Sequence, residues 1–242
     1  MCFFINGLSY IAVLAALFAM RIVARQVETS QPGLVQNLKE GFSYTFRFTP
    51  IRDILLLLAF TSLLGMPYVT LMPVFARDIL DGDSHTFGFL MGATGIGALI
   101  GAMYLAARKT AAGLGLVIAI AAGVFGTGLI AFSLSRTSWL SLTLMVLTGF
   151  GMMVQMAASN TLLQTVSDDK KRGRVMSFYT VAFMGMIPFG SLLTGWLASW
   201  VGVQNTVFLS GILCAAGGVI FAVRLPGLHE KVRSIYERKG MA

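Results

Sequence analysis

Along most of this chain the apolar residues form neither an alternation nor a one-sided helical stripe. They run on in long blocks separated by short polar stretches. A block of about 20 mostly apolar residues, folded as a helix, crosses the ~30 Å of a bilayer's hydrocarbon. Seven segments have that character: Phe3–Met20, Ile51–Ala76, Phe87–Ala107, Gly113–Ser135, Trp139–Thr165, Val175–Trp200 and Thr206–Arg224. The pattern predicts an all-α membrane protein with seven transmembrane helices. Several connections, such as Arg136-Thr137-Ser138, are long enough only for a turn. The longest, from Arg21 to Pro50, places Leu34, Leu38, Phe42 and Phe46 at four-residue intervals among charged residues. That spacing predicts an amphipathic helix along the membrane surface, read as a linker helix packed on the bundle rather than as a partner-binding element.

Composition strengthens this picture. Of 242 residues, 56% are hydrophobic and only 12% charged, and mean hydropathy is +0.79. Soluble domains carry about 25% charged residues. The net charge of +8 would suit nucleic acid only if the cations formed a face with interleaved aromatics, and they do not. They lie between the apolar blocks, so no nucleic-acid partner is expected. Cys2 and Cys214 both fall in apolar stretches, which supports neither a disulfide framework nor a metal cluster.

The cations set an orientation. Arg21, Arg25, Lys39, Arg47, Arg52, Arg108, Lys109, Lys170, Lys171, Arg172, Arg174, Arg224, Lys231, Arg233, Arg238 and Lys239 fall on one side, leaving Arg77 and Arg136 on the other. The cation-rich side is expected to be cytoplasmic, with the N-terminus outside and the C-terminus inside. A cleavable leader is not the reading of residues 1–20, since Arg21 and Arg25 follow the apolar run instead of preceding it. A helix that starts at residue 3 has nothing ahead of it to specify insertion, so the chain reads as the later part of a longer protein.

No Asp, Glu, Lys, Arg or His lies deep in any span. Intramembrane ionisable groups are the usual proton relays, so a coupling group is expected outside this chain. Uncharged polar residues concentrate in the second and fifth of the seven spans. The second holds Thr61, Ser62, Tyr68 and Thr70 around Gly65-Met66-Pro67, where proline predicts a kink. The fifth holds Gln155, Ser159, Asn160 and Gln164. A buried amide in hydrocarbon needs a partner, so these faces point to a neighbouring helix or to a wet cavity. Gly88, Gly92, Gly97 and Gly101 in the third span, and Gly185, Gly190 and Gly195 in the sixth, are expected to form close helix seams. The turn from Ser167 to Val175 gathers Asp168, Asp169, Lys170, Lys171, Arg172 and Arg174 around Gly173. Such a cluster either locks helix ends in one state and releases them in another, or simply sets topology.

Three groups of residues carry a family resemblance. They are Asn160-Thr161-Leu162-Leu163-Gln164 through Arg172-Gly173-Arg174-Val175-Met176-Ser177 to Gly190-Ser191-Leu192-Leu193-Thr194-Gly195; Leu38-Lys39-Glu40-Gly41-Phe42 leading to Thr49-Pro50-Ile51-Arg52; and Gly88-Phe89-Leu90-Met91-Gly92 through Gly97-Ala98-Leu99-Ile100-Gly101. In order and spacing they resemble major facilitator superfamily exporters, in the bacterial branch of enterobactin exporters and macrolide-efflux-like proteins. The resemblance implies twelve helices in two halves, each a pair of inverted three-helix repeats, with substrate held between the halves. Mapped by order, this chain is similar to helices six to twelve: an orphan transmembrane helix over residues 1–20, a cytoplasmic linker over 21–50, a six-helix half-transporter over 51–224 and a cytoplasmic tail over 225–242. It implies an efflux permease for a small amphipathic molecule, drug or siderophore, working by alternating access in a bacterial inner membrane. It also implies a missing N-terminal half as partner, no cofactor and no metal. Thr61, Tyr68, Gln155 and Asn160 become the expected cavity residues, and Asp168, Arg172, Gly173 and Arg174 the expected gating loop. The Arg108-Lys109-Thr110 turn lacks the Gly-x-x-x-Asp-Arg-x-Gly-Arg pattern of many relatives, which removes the basis for gating there.

Rival classes fit less well. A rhomboid-type protease needs a membrane-buried histidine beside a motif like Gly7-Leu8-Ser9, and His85 and His229 both lie outside the spans; no His-Glu-x-x-His exists. A retinal protein needs a lysine in its last span, and Lys39, Lys109, Lys170, Lys171, Lys231 and Lys239 are all in loops or the tail. A seven-helix receptor would end its third span in an Asp-Arg-Tyr-like triplet, where this chain has Ala106-Ala107-Arg108. A non-transporting truncated product, or a subunit that assembles with another half, remains the alternative to a permease.

Overall fold

The computed structural model describes residues 10–11, 14–19, 42–108, 110, 113–169 and 171–238, the last eleven of these by backbone alone. The chain divides into two units, residues 1–37 and 38–242. In the first, residues 10–11 and 14–19 are helical, while the rest of the expected span Phe3–Met20 and the Leu34 to Leu38 part of the linker helix lie outside the described residues. Among the described residues the second unit consists of helices joined by short turns, with no strand.

A short helix over residues 42–47 precedes the bundle. The bundle comprises α1 (Thr49–Leu64), α2 (Tyr68–Asp78), α3 (Ser84–Ala106), α4 (Leu114–Leu134), α5 (Ser138–Val166), α6 (Arg172–Thr180), a π-helical turn (Val181–Gly185), α7 (Met186–Val201) and α8 (Val203–Arg238). Six stretches are long and apolar enough to cross a membrane: α1–α2 as one, α3, α4, α5, α6–α7 as one, and α8 up to Gly227. Large apolar side chains on their outer faces are exposed, including Trp139, Leu192, Trp200 and Val223, which water would not tolerate over so wide an area.

The expected kink in the first of these spans is a break. Pro67 has no N–H to give, and the amides of Gly65 and Met66 both turn to the Thr61 carbonyl, at 2.8 and 3.1 Å. The break opens room for Phe125 of α4: a Cβ on Gly65 would overlap the Phe125 ring and come 2.8 Å from the Cys214 sulfur. In the fifth span the π turn ends three residues before Pro188, whose ring would otherwise strike the Met184 carbonyl in a regular helix. One boundary departs from expectation. The helix does not stop at Arg224 but runs on through Pro226 to Arg238. The apolar run measures membrane depth, and the Glu, Lys and Arg of the tail are good helix formers that need no lipid.

The α3–α5, α4–α8 and α4–α5 pairs make the closest packing, and α1 is held by α8 and by α6–α7. The buried apolar residues form two clusters. One, toward the basic end, is built around Ile51, Ile54, Leu58, Ile118, Leu162 and Val175. The other, toward the opposite end, is built around Tyr68, Met72, Phe75, Leu90, Phe125 and Phe132.

Asp83 caps α3 by accepting from the amides of Thr86 at 3.1 Å and His85 at 3.0 Å. The Thr86 amide above all holds this exposed carboxyl below its ordinary value near 3.8. A depressed folded-state value means the cap contributes stability above the unfolded value and loses it as pH falls through the folded one. The protection factors of the amides at the start of α3, with exchange corrected for its intrinsic pH dependence, are therefore expected to be high at pH 5 and to fall only below about pH 4. In Asp83→Ala they should be low throughout, with no step in that range.

Candidate functional site

Between the two apolar clusters lies a thin polar layer. Thr61, in the last turn of α1 before the break, donates its hydroxyl to the carbonyls of Leu57 and Leu58 at 3.0 and 3.1 Å. That leaves its oxygen free to accept, and the Gln155 side-chain amide of α5 donates to it at 2.9 Å across 94 residues of sequence. Both residues are buried, 4% and 3% exposed. Beside them is a void of about 10 Å³ bounded by Thr61, Ser62, Met66, Phe125, Met152 and Gln155, about the room of one water molecule. The Ser62 hydroxyl is buried on this wall with no hydrogen-bond partner. Polar groups in a dry interior are normally paired, so this one marks a place where a polar contact is wanting.

The other expected cavity residues are placed apart. Tyr68 opens α2 and is buried in the cluster at the far end, its ring edge-on to Phe125 at 6.3 Å. Its hydroxyl makes no hydrogen bond, and the Thr94 hydroxyl nearby gives its proton to the Leu90 carbonyl at 2.9 Å. Phe125 thus links Tyr68 to the Thr61–Gln155 layer. Asn160 is half-buried, and its carbonyl oxygen accepts from the Gln164 amide one turn on. That bond stays within α5 and leaves Asn160 outside the sealed layer.

The turn after α5 is organised by hydrogen bonds. The Asp168 carbonyl accepts from the Lys171 and Arg172 amides, at 2.9 and 2.8 Å, starting α6. Arg172 pairs with Asp169 and donates from Nε to the Gln164 carbonyl at 3.1 Å, fastening the start of α6 to the end of α5. Gly173 is exposed, with open space where a Cβ would stand, and its carbonyl accepts from the Ser177 hydroxyl at 3.0 Å. Arg174 is half-buried beside it.

Sequence reasoning overlooked one member of this cluster. Tyr44, in the helix before α1, donates its hydroxyl to the Asp168 carboxylate at 3.2 Å, and the Lys171 ammonium sits 4.4 Å over its ring. The linker's pattern showed only its phenylalanines, Phe42 and Phe46, which stack at 4.3 Å. Burial first, with the Asp168 charge adding, holds the Tyr44 hydroxyl above its ordinary value near 10. A raised folded-state value means this contact contributes its full stability below the unfolded value and loses it only as pH rises through the folded one. Protease cleavage of the 167–174 turn is expected to be flat from pH 7 to 9 and to rise above about pH 10. Tyr44→Phe, which keeps the ring under Lys171, should cut at the high-pH rate throughout.

A second overlooked cluster lies at the same end. Asp53, its side chain 3% exposed, takes Arg52 Nε at 3.0 Å and Arg224 Nη1 at 3.8 Å on one oxygen. Arg52 and Arg224 were legible as charges at span ends, but their meeting on Asp53 was not.

The all-helical fold agrees with comparisons to known proteins. The family model described as transmembrane secretion effector, of the major facilitator type, matches residues 1–238. The staphyloferrin A transporter of Staphylococcus aureus (strain NCTC 8325 / PS 47) is 29% identical over 158 residues, 63% of this chain and 39% of that protein. The uncharacterized MFS-type transporter YfmI of Bacillus subtilis (strain 168) is 22% identical over 187 residues, 76% of this chain and 46% of its own length. The chain thus spans less than half the length of either relative. The family is one of membrane transporters rather than enzymes. Six apolar spans, a polar layer buried between them and a match along nearly the whole chain lead to one conclusion: this chain belongs to the transmembrane secretion effector family of the major facilitator superfamily.

Proposed function

We propose that this chain supplies one half of an efflux permease, which exports a small amphipathic molecule of the drug or siderophore class by alternating access. The observation that carries the reading is the Gln155–Thr61 bond. It joins the first and fourth of the six described spans, the two members that correspond if the spans form two inverted repeats of three. The packing supports that arrangement. The second span packs on the fourth as the fifth packs on the first, the third packs on the fourth as the sixth packs on the first, and the third and sixth pack on each other. The second and fifth spans are the least covered by the rest of the bundle, which suits a second half seated against them. Thr61, Tyr68, Gln155 and Asn160 serve as substrate contacts, and the Asp168, Arg172, Gly173 and Arg174 turn as the gate. Ser62 in the closed layer and Tyr68 in the cluster beyond it, both with unpaired hydroxyls, gain partners when substrate enters.

By the cation count the basic end faces the cytoplasm of a bacterial inner membrane, with the C-terminus inside and the N-terminus outside. The siderophore class is favoured by the similarity to a staphyloferrin A transporter. Deleting the gene is expected to lower an extracellular siderophore, or to raise cellular retention of an amphipathic dye, severalfold, with re-expression restoring it. No change in either quantity would sink the export reading. The short coverage of the relatives favours a second reading, a non-transporting product or a subunit that assembles with a separate half. An immunoblot of the C-terminal tail separates them. A band near 26.0 kDa means this chain stands alone or with a partner chain, and one nearer ~45 kDa, the size twelve spans require, means both halves are one polypeptide.

A further inference from the structure

A groove of about 240 Å³ runs between α1 and α8 at the basic end. Its walls are apolar, with Leu56, Phe60 and Ile220 exposed along it. Gly217 forms part of the floor, and a Cβ there would stand 3.1 Å from the Phe60 ring. At its mouth are Asp53 and Arg224, with Arg52 held beside them on the Asp53 carboxylate. The carboxylate is enclosed, while the Arg52 and Arg224 side chains are 38% and 55% exposed. Two guanidinium groups thus share one carboxylate oxygen, leaving a net charge of +1 and several N–H donors unused.

We propose that this groove holds an anionic phospholipid from the same leaflet, its phosphate on Arg52 and Arg224 and one acyl chain along Leu56, Phe60, Gly217 and Ile220. Three features converge on that occupant. The site is polar at one end only, as a lipid is. Its excess charge is positive, and guanidinium groups take phosphate oxygens through short charge-assisted bonds. It also lies at the end where Arg108, Lys171, Arg172 and Arg174 gather, and basic pockets between spans on that side attract anionic headgroups. Asp53 has a positioning role. Its carboxylate holds both arginines at the mouth and prevents either from extending away into water.

The test is native mass spectrometry of the full chain released from nanodiscs made with phosphatidylglycerol or with phosphatidylcholine of identical chains. The wild type should retain one phosphatidylglycerol and little phosphatidylcholine. Arg224→Gln should lower that retention about tenfold, the scale of one lost charge-assisted contact. Ile220→Trp, which blocks the groove from an exposed position and leaves all three charged residues in place, should lower it similarly. Arg77→Gln, the same charge change at the opposite end, should match the wild type. Equal retention of the two lipids overturns the proposal, as does an equal effect of Arg224→Gln and Arg77→Gln. So does displacement of the headgroup by millimolar inorganic phosphate with no effect of Ile220→Trp, which would make this a free-anion site.

Discussion

Gly149→Leu and Gly97→Leu are each expected to abolish recovery of folded protein from membranes. The two glycines face each other across the α3–α5 pair. A Cβ on Gly149 would overlap the Thr94 carbonyl oxygen and stand 2.8 Å from its carbon; one on Gly97 would overlap the Val146 carbonyl oxygen and stand 2.9 Å from the Phe150 amide nitrogen. The obstacles are backbone atoms of the partner helix, so no change of rotamer makes room, and the helices must part. Overpacking costs about 1–3 kcal/mol and occasionally more, and rigid backbone obstacles place these two sites at the upper end. The helix propensity gained by losing a glycine, about 1 kcal/mol, does not offset it. Gly92→Ala is the control, because nothing lies within 4 Å of a Cβ there, and it should be neutral or slightly stabilising. The measurement is the monodisperse fraction in mild detergent and its thermal midpoint. A Gly149→Leu protein as well behaved as Gly92→Ala would mean that α3 and α5 do not pack as described.

The second large effect concerns function. Gln155→Leu is expected to leave expression and folding nearly intact and to change substrate selectivity about tenfold or more, equivalent to about 1.4 kcal/mol. Stability changes little because Thr61 keeps its bonds to the Leu57 and Leu58 carbonyls, and hydrogen bonds between membrane helices average only about 0.6 kcal/mol. A double-mutant cycle with Thr61→Val should return a coupling of that size. Selectivity should move because Gln155 supplies the only amide donor around the void beside Ser62 among the described residues. Transport unchanged across a panel of substrates would return Gln155 to a purely structural role.

The glycine pattern shows where sequence reasoning ends. Seven glycines of the second and fifth described spans were expected to form seams. Gly97, Gly101 and Gly190 do approach backbone: a Cβ would stand 3.0 Å from the Phe150 carbonyl oxygen at Gly101 and 2.9 Å from the Leu63 carbonyl carbon at Gly190. Gly88, Gly92 and Gly195 face open space, and Gly185 meets only the Val181 side chain at 3.5 Å. Gly88 and Gly92 instead line a groove of about 760 Å³ with Phe89, Trp139 and Phe150. Spacing tells which glycines share a face of a helix, but not whether a neighbour comes to that face.

The sequence by itself determined the spans. Each of the six described apolar stretches begins and ends within about four residues of its expected position, although the last helix itself continues to Arg238. Lipid offers no hydrogen bonds to a bare backbone, so a long apolar run has little choice but to be helix. It also determined that polar residues gather in the first and fourth of these spans, since polar atoms in an apolar block are conspicuous wherever they point. Only the tertiary structure decided which of them meet. Gln155 reaches Thr61 because α5 crosses α1 at that depth, while Asn160, five residues further along α5, turns instead to its own helix. The same holds for Tyr44 on Asp168 and for Arg224 on Asp53. These contacts span 94 or more residues of sequence, and their geometry is set by how whole helices pack, which no local pattern encodes.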